Sequence, residues 1–313
     1  MKKINLKNYS DKKTIIKKIV FVDGIARSGK ILTASLISSF KKMEILEFGE
    51  NFEHFMSALN LKKCSKDFAK NFLTNYLNQV IYNKMISRNV NFRPNDITGL
   101  KNFYKPNIYK KRLNKPDGDI VLKNLKKIDP ILPFVTHDIM SYYDAFKKLN
   151  FKIKFVEIYR NPFDLTYSWY KRNLAKNLES SPRSFTLKVK HNNKNYPWKL
   201  NSLPKNWNKL NDQEKCATYV INQTLRSVKQ QRKIKNKLFL YTTTYRDITE
   251  NTYTELKKIA KFLKKKLINK TKKIMKKKKC PNFSLRRHLE KKKTFLRKSL
   301  SKEIFQKLLN LES

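Results

Sequence analysis

The sequence predicts a three-layer α/β fold with a central, mainly parallel sheet flanked by helices, and three observations carry that prediction. Short apolar, β-branched runs alternate with segments of helical periodicity, the pattern left by βαβ units. One of those runs ends in a glycine turn that opens directly into a helix. The 313 residues are also 40% hydrophobic and 12% aromatic, enough to fill the core such layers need.

In order along the chain, Lys18 to Asp23 (KIVFVD) is the first strand, and the apolar positions 32, 36 and 40 place a helix over 31–40. Met43 to Phe48 predicts a second strand, followed by largely helical sequence to about residue 88. Residues 89–130 carry Pro94, Gly99, Pro106 and Pro116 and read as loop and variable insertion. Ile131 to Thr136 is a strand, Tyr142 to Leu149 a helix, and Ile153 to Tyr159 a strand. Residues 180–206, with Pro182, Pro197 and Pro204, read as a polar loop. A helix over 213–235, a strand over 238–242 and an amphipathic helix over 253–263 complete the periodic part. The chain is expected to form one domain over 1–313, with its core at about 17–263. Residues 264–295 form a lysine-rich, solvated excursion, and 296–313 a terminal helix, its candidate span 302–311 carrying apolar positions 305, 308, 309 and 311.

With 72 Lys+Arg against 24 Asp+Glu the formal charge is +48. Lysine, asparagine and isoleucine are abundant while glycine and proline are scarce, as AT-rich coding produces, so much of the charge is compositional. The basic residues are spread along the chain without a reading motif, which argues against a specific nucleic-acid partner. They still favour anionic ligands and attraction to an anionic membrane surface. Cys64, Cys216 and Cys280 are odd in number and lack metal-ligand spacing, so neither a disulfide framework nor a zinc site is expected. The basic N-terminus lacks the apolar core of a signal peptide, and no run reaches membrane-span length. The expected setting is cytoplasmic.

Chemistry is concentrated in two places. The stretch Gly24-Ile-Ala-Arg-Ser-Gly-Lys30 holds two of the chain's five glycines and fits G-x-x-x-x-G-K, so the strand, loop and helix read as a P-loop-type anion cradle. Position 31 is isoleucine, where a nucleotide triphosphatase carries the hydroxyl that holds Mg²⁺, so the loop reads as a phosphate cradle that needs no metal. Arg27 lies inside the turn and would point at the held anion. The second place is Tyr159-Arg-Asn-Pro-Phe-Asp-Leu-Thr-Tyr-Ser-Trp-Tyr170. Asn161 suits a helix cap, Pro162 the first turn and Asp164 the positive end, while Ser168 falls two turns on, so Arg160 and Ser168 can converge on one anionic group.

YRNPFDLTYSWY resembles the 3′-phosphate-binding motif of sulfotransferases that use 3′-phosphoadenosine-5′-phosphosulfate (PAPS), and IARSGK resembles the loop by which that family cradles the 5′-phosphosulfate. Phe134-Val-Thr-His-Asp138 is similar to the segment that supplies the catalytic base, and Leu238 to Leu263 and the C-terminal helix are similar to further family segments, all in family order. The resemblance implies that Gly24, Ile25, Ala26, Arg27, Ser28, Gly29, Lys30 and Ile31 hold the 5′ side of PAPS, with Arg27 at the catalytic cation's position. It implies that Arg160 and Ser168 hold the 3′-phosphate, and that no metal takes part. His137 is the preferred general base, with Glu50 in EFGEN its rival and Glu47 a lesser version of the same idea. His54 and His191 have no comparable placement.

Lys30-Ile31 departs from the family's Thr-Thr, leaving Lys30 to compensate electrostatically, and Val135 stands where cytosolic members carry a second lysine. The C-terminal RKGxxGDWKN element is absent, leaving Arg286 and Arg287 as candidates for the remaining 3′-phosphate contacts. These departures point to a bacterial-type or carbohydrate-directed branch. The expected function is transfer of a sulfuryl group from PAPS to a hydroxyl or amine of a small-molecule, lipid or carbohydrate acceptor. The alternatives are a P-loop small-molecule kinase and a non-enzymatic basic protein that binds anions or nucleic acid.

Overall fold

In the computed structural model, which describes residues 13–191, 193–199, 206–234, 238–283 and 288–312, side chains of the first strand alternate between two apolar layers. Strand β1 (Ile19–Asp23) sends Ile19 and Phe21 to one face and Val20 and Val22 to the other. After it come α1 (Lys30–Ile37), β2 (Glu47–Phe48), α2 (Glu50–Asn60) and α3 (Lys66–Met85). The next elements are α4 (Pro106–Arg112), α5 (Asp119–Ile128), β3 (Leu132–Val135), α6 (Tyr143–Lys147), β4 (Ile153–Tyr159), α7 (Pro162–Tyr170) and α8 (Leu174–Ser180). A hairpin of β5 (Lys188–His191) and β6 (Lys194–Pro197) precedes α9 (Asp212–Arg232), β7 (Leu240–Thr244), α10 (Tyr245–Glu250) and α11 (Thr252–Phe262). Helices α12 (Asn269–Lys277), α13 (Leu289–Ser299) and α14 (Lys302–Glu312) end the described chain.

The sheet runs β2-β3-β1-β4-β7, and every pairing in it is parallel. On one face Phe21 meets Phe52, Phe134, Phe146 and Phe155 edge-on, with ring centroids 4.8–5.7 Å apart, and α2, α3 and α6 close that layer. On the other face Val22, Val135, Val156 and Ile158 pack against α1, α11 and α12. A third cluster beyond the β4 side joins α7, α9, α13 and α14 around Trp169 and Tyr219. The chain crosses from β3 to β4 on opposite sides of β1, so the carboxyl end of β1 is a topological switch point, where open α/β sheets collect ligands.

Several expected elements are corrected. The strand expected over 43–48 is paired only at Glu47–Phe48 and through a bridge from Met43 to Ile131. Its middle is taken by the insertion: the buried Glu44 carboxylate binds Arg112 (2.7 Å) and Tyr109 (2.7 Å), and Tyr109 Oη accepts the Ile45 amide at 3.2 Å. The stretch expected as loop over 89–130 therefore contains two helices. The lysine-rich excursion is also ordered locally, because Ile274 and Met275 of α12 pack on the second apolar layer. The terminal helix candidate over 302–311 is α14, and the residues before it, separated by Leu300 and Ser301, belong to α13; the polar loop contains the β5–β6 hairpin with Tyr196 and Trp198 buried. Among the described residues no helix is long and apolar enough to cross a membrane. The N-terminal twelve residues, Arg286 and Arg287 lie outside the described residues.

Candidate active site

The turn after β1 needs its glycines for shape. Gly24 has φ +142°, and a Cβ there would come 2.6 Å from the Ile158 carbonyl; Gly29 has φ +104°, and a Cβ would come 2.2 Å from the Tyr245 ring. Arg27 between them is left-handed too, at φ 72°. Gly29 caps α1 without a side chain, so the first amides of that helix are claimed by no cap. The Ser28 hydroxyl is buried and has no hydrogen-bond partner among the described residues. Such a loop can take an anion on its amides, and Ser28 supplies a polar atom that still wants a partner.

Lys30 does not face outward. Its ammonium lies beneath the loop, donating to the carbonyls of Gly24 (2.9 Å) and Ile25 (3.1 Å), and burial pushes its pKa down to about 8 although Asp23 opposes the shift. Lys30 therefore braces the cradle from below. Ile31, where a hydroxyl would hold a metal, is 41% exposed.

Helix α7 grips the loop from the side. Asn161 Oδ1 accepts the amides of Phe163 (3.0 Å) and Asp164 (3.2 Å), with Pro162 at the first turn, which fixes where the helix starts. Arg160 then donates from Nη1 to the Arg27 carbonyl at 2.7 Å and from Nε to Asp164 at 2.6 Å, while Trp169 Nε1 donates to the Ala26 carbonyl at 2.7 Å. Arg27 Nε lies 3.4 Å from Ser168 Oγ. Arg27, Arg160 and Ser168 thus converge at the mouth of the loop. Partial burial, then Arg172 and Arg160, lower the Arg27 pKa, with Tyr245 opposing the shift. Tyr245, the first residue of α10, lies with its ring 4.5 Å from the Arg160 guanidinium. Beside Arg160, Asn161 and Tyr245 opens a cavity of about 810 Å³ that reaches Leu225, Arg246 and Glu312.

His137 follows β3 at the same edge of the sheet. Asp23 ties that turn to β1, accepting from Thr136 Oγ1 and from the Met140 amide, each at 2.8 Å. Glu53 Oε1 lies 2.8 Å from the His137 amide and 3.0 Å from its Nδ1, and Lys199 Nζ donates to the His137 carbonyl at 3.0 Å. The imidazole keeps 34% of its surface open. Burial and the nearby Lys30 lower its pKa, so it is neutral at pH 7. Burial pushes the Glu53 carboxyl up, but His137 and Lys199 outweigh it and hold the group down at about 2. Glu50 stands one turn earlier at the start of α2, exposed, its pKa raised by partial burial and by Glu53 and Glu47. Glu47 pairs with Lys84 at 2.5 Å, and His54 bonds the Phe185 carbonyl at 3.1 Å. Val135 is buried in the second apolar layer; an ammonium reaches His137 from Lys199.

Sequence reasoning missed Glu53, Lys199 and Tyr245. Glu53 had a signal, since it stands one helical turn after Glu50 in Glu50-Asn-Phe-Glu-His. Lys199 had none, because one lysine among so many is indistinguishable until the hairpin brings it in. Below these groups the buried carboxyls of Asp23, Asp138 and Glu157 surround the Lys30 ammonium, and burial raises Asp138 to about 7.

The family model for the sulfotransferase domain matches residues 17–309. No curated protein matches the chain significantly. Solved structures similar to it include the sulfotransferase domain from the curacin biosynthetic pathway, 10% identical over 82% of this chain and 77% of that one, with a TM-score of 0.45. The sulfotransferase domain from the Synechococcus PCC 7002 olefin synthase is 12% identical over 82% and 76%, with a TM-score of 0.41. Sulfotransferase STF1 from Mycobacterium tuberculosis H37Rv is 12% identical over 93% and 76%, with a TM-score of 0.41. The family match spans the anion cradle, the His137 turn and α7 alike, and the chain belongs to the sulfotransferase domain family.

Proposed function

We propose that the protein moves a sulfuryl group from PAPS to a hydroxyl or amine of a small-molecule, lipid or carbohydrate acceptor. The observation that carries this reading is the convergence of Arg27, Arg160 and Ser168 at the mouth of a loop whose helix amides lack a cap. The loop amides and the neighbouring Arg160 and Ser168 side chains give the two kinds of anchor that a nucleotide with 5′ and 3′ phosphates requires. The unpartnered Ser28 hydroxyl supports the fit.

When bound, PAPS supplies a sulfuryl group already activated on a phosphate leaving group. The amides of α1 and the Ser28 hydroxyl hold the 5′-phosphate, and Arg27 offsets negative charge that grows there during transfer. Arg160 and Ser168 hold the 3′-phosphate, with Tyr245 buttressing the guanidinium. His137, neutral at pH 7, receives the acceptor's proton on its open edge. Lys30 keeps the loop in shape from beneath.

Thermal stabilisation by 3′,5′-adenosine bisphosphate, compared with ADP-Mg²⁺, tests the donor assignment. The bisphosphate is expected to protect the protein more strongly. Equal or stronger protection by ADP-Mg²⁺ overturns the reading in favour of a kinase.

A further inference from the structure

Resting on the assignment of His137 as the base, we propose that Glu53 is the positioning residue for that base, fixing the imidazole as its Nδ1–H tautomer and so presenting Nε2 to the acceptor. The contact geometry supplies the argument. One carboxylate oxygen, Oε1, faces two nitrogens of the same residue, the His137 amide at 2.8 Å and the ring Nδ1 at 3.0 Å. An ionised carboxylate only accepts hydrogen bonds, so the ring nitrogen facing it must carry the proton. In a neutral imidazole the lone pair then lies on Nε2. The backbone bond adds direction, because it fixes the turn on which the ring is mounted as well as the ring itself. Glu53 is rigidly supplied: it lies in α2, with its side chain 16% exposed and Phe52 and Met56 of the same helix buried in the core.

The charges around the ring make the carboxylate matter for more than orientation. Lys30 approaches from α1 and Lys199 from the segment after β6, and both oppose a positive imidazole. Asp138 is the next residue, and Asp23 reaches the same turn from the end of β1. Among the described residues Glu53 is the charged group that touches the ring itself. During transfer the acceptor O–H or N–H bond breaks as the acceptor atom bonds to sulfur. The sulfur–oxygen bond to phosphate breaks with its electron pair leaving on phosphate. The acceptor's proton goes to Nε2, and the Nδ1 proton stays on nitrogen. Glu53 thereby faces an imidazolium flanked by two ammoniums, and its negative charge is what makes that intermediate tolerable.

Glu53→Gln and Glu53→Ala separate orientation from charge. The glutamine keeps a carbonyl oxygen able to accept both N–H groups but carries no charge; the alanine removes both functions. In ¹⁵N NMR of histidine-labelled full-length protein, with His137 assigned through His137→Gln, wild type and Glu53→Gln are expected to show protonated Nδ1 and unprotonated Nε2. Glu53→Ala is expected to show the other tautomer or a mixture. Glu53→Gln should lower kcat about tenfold and move the acid limb of the kcat profile down by about one pH unit, and Glu53→Ala should lower kcat by roughly 10²-fold. The KM for PAPS should change less than threefold in both. Unchanged tautomer, kcat and pH profile in both variants overturn the proposal. If Glu53→Ala fails to fold, Glu53→Gln decides alone: a wild-type kcat with an unshifted acid limb overturns it. The tautomer readout needs no turnover, so a wild type that transfers no sulfuryl group, yet whose His137 tautomer follows Glu53, refutes the catalytic reading and leaves the positioning intact.

Discussion

The loop Gly24–Lys30 and the segment Arg160–Tyr170 are each a short contiguous stretch, and they meet where the carbonyls of Ala26 and Arg27 accept from Trp169 and Arg160; Asn161, next to Arg160, caps the helix that carries Trp169. The surroundings of His137 are assembled differently, with Lys30, Glu53 and Lys199 arriving from three separate parts of the chain. Both regions sit at the carboxyl edge of the same sheet. The difference teaches that each half of the anion cradle is shaped by turn and cap chemistry, which acts over a few residues, so that only their meeting needs the fold, whereas the base site is a balance of buried charges that exists only once the fold has closed. Substitutions in the first should impair ligand binding, and substitutions in the second should impair transfer and alter pH behaviour.

The largest effect expected is at the base. Replacing His137 with alanine should lower kcat by about 10²–10⁴-fold, the usual contribution of a general acid–base group, while stabilisation by the bisphosphate stays within about twofold in affinity. Full retained activity would move the role to Glu50, and a parallel loss of bisphosphate binding would erase the separation between the two regions. The complementary change is Arg160→Ala. Loss of a charged hydrogen-bonding group should weaken the bisphosphate by about 2 kcal/mol, roughly 30-fold, and 5′-AMP far less. Equal losses for the two nucleotides in a calorimetric titration would count against a 3′-phosphate at Arg160.

These contrasts also explain what could be read without coordinates. Strands β1, β3 and β4 were legible because apolar β-branched runs are buried on both faces, and α7 because Asn161, Pro162 and Asp164 each signal a helix start in a different way. That Arg160 and Ser168 can face one anionic group followed from those same local rules; that both meet the Gly24–Lys30 loop did not. The shortness of β2 was not legible: Glu44 sits within an apolar run, and the arginine that claims it lies in an insertion 68 residues on. Nor was α12, whose lysines hide the two apolar positions that dock it. Glu53 fell between these cases, visible as a helical neighbour of Glu50 but unassignable until His137 came to meet it.

A smaller effect probes the buried charge balance. Burial raises Asp138 to about 7, so the folded state holds a proton that the unfolded state has already released above the ordinary carboxyl value near 4. The stability this group contributes is full below that ordinary value and is lost as pH rises to about 7. Asp138→Asn cannot ionise, and at φ 64° asparagine is well tolerated. Relative to wild type the variant should gain stability between pH 4 and 7, reaching about 4 kcal/mol at pH 8 in denaturant titrations. A difference that is flat with pH would show that the carboxyl is charged in the folded protein across the whole range.

The smallest effect tests whether the cradle is as local as it looks. Asn161 does two things: its oxygen caps α7, and its Nδ2 donates to Glu312 of the last helix at 2.7 Å. Asn161→Ser retains a capping oxygen but loses the reach to Glu312; Asn161→Ala loses both. If the cap is what holds α7, alanine should cost about 1 kcal/mol of stability and serine only a few tenths. Because the cap fixes where α7 starts, directly after Arg160, and α7 carries Ser168, bisphosphate affinity should fall with the alanine and hold with the serine. Equal losses in the two variants would mean that the C-terminal helix, and not the cap, sets the position of Arg160. The position of α7 would then rest on a contact 151 residues away, in addition to those that join it to the loop.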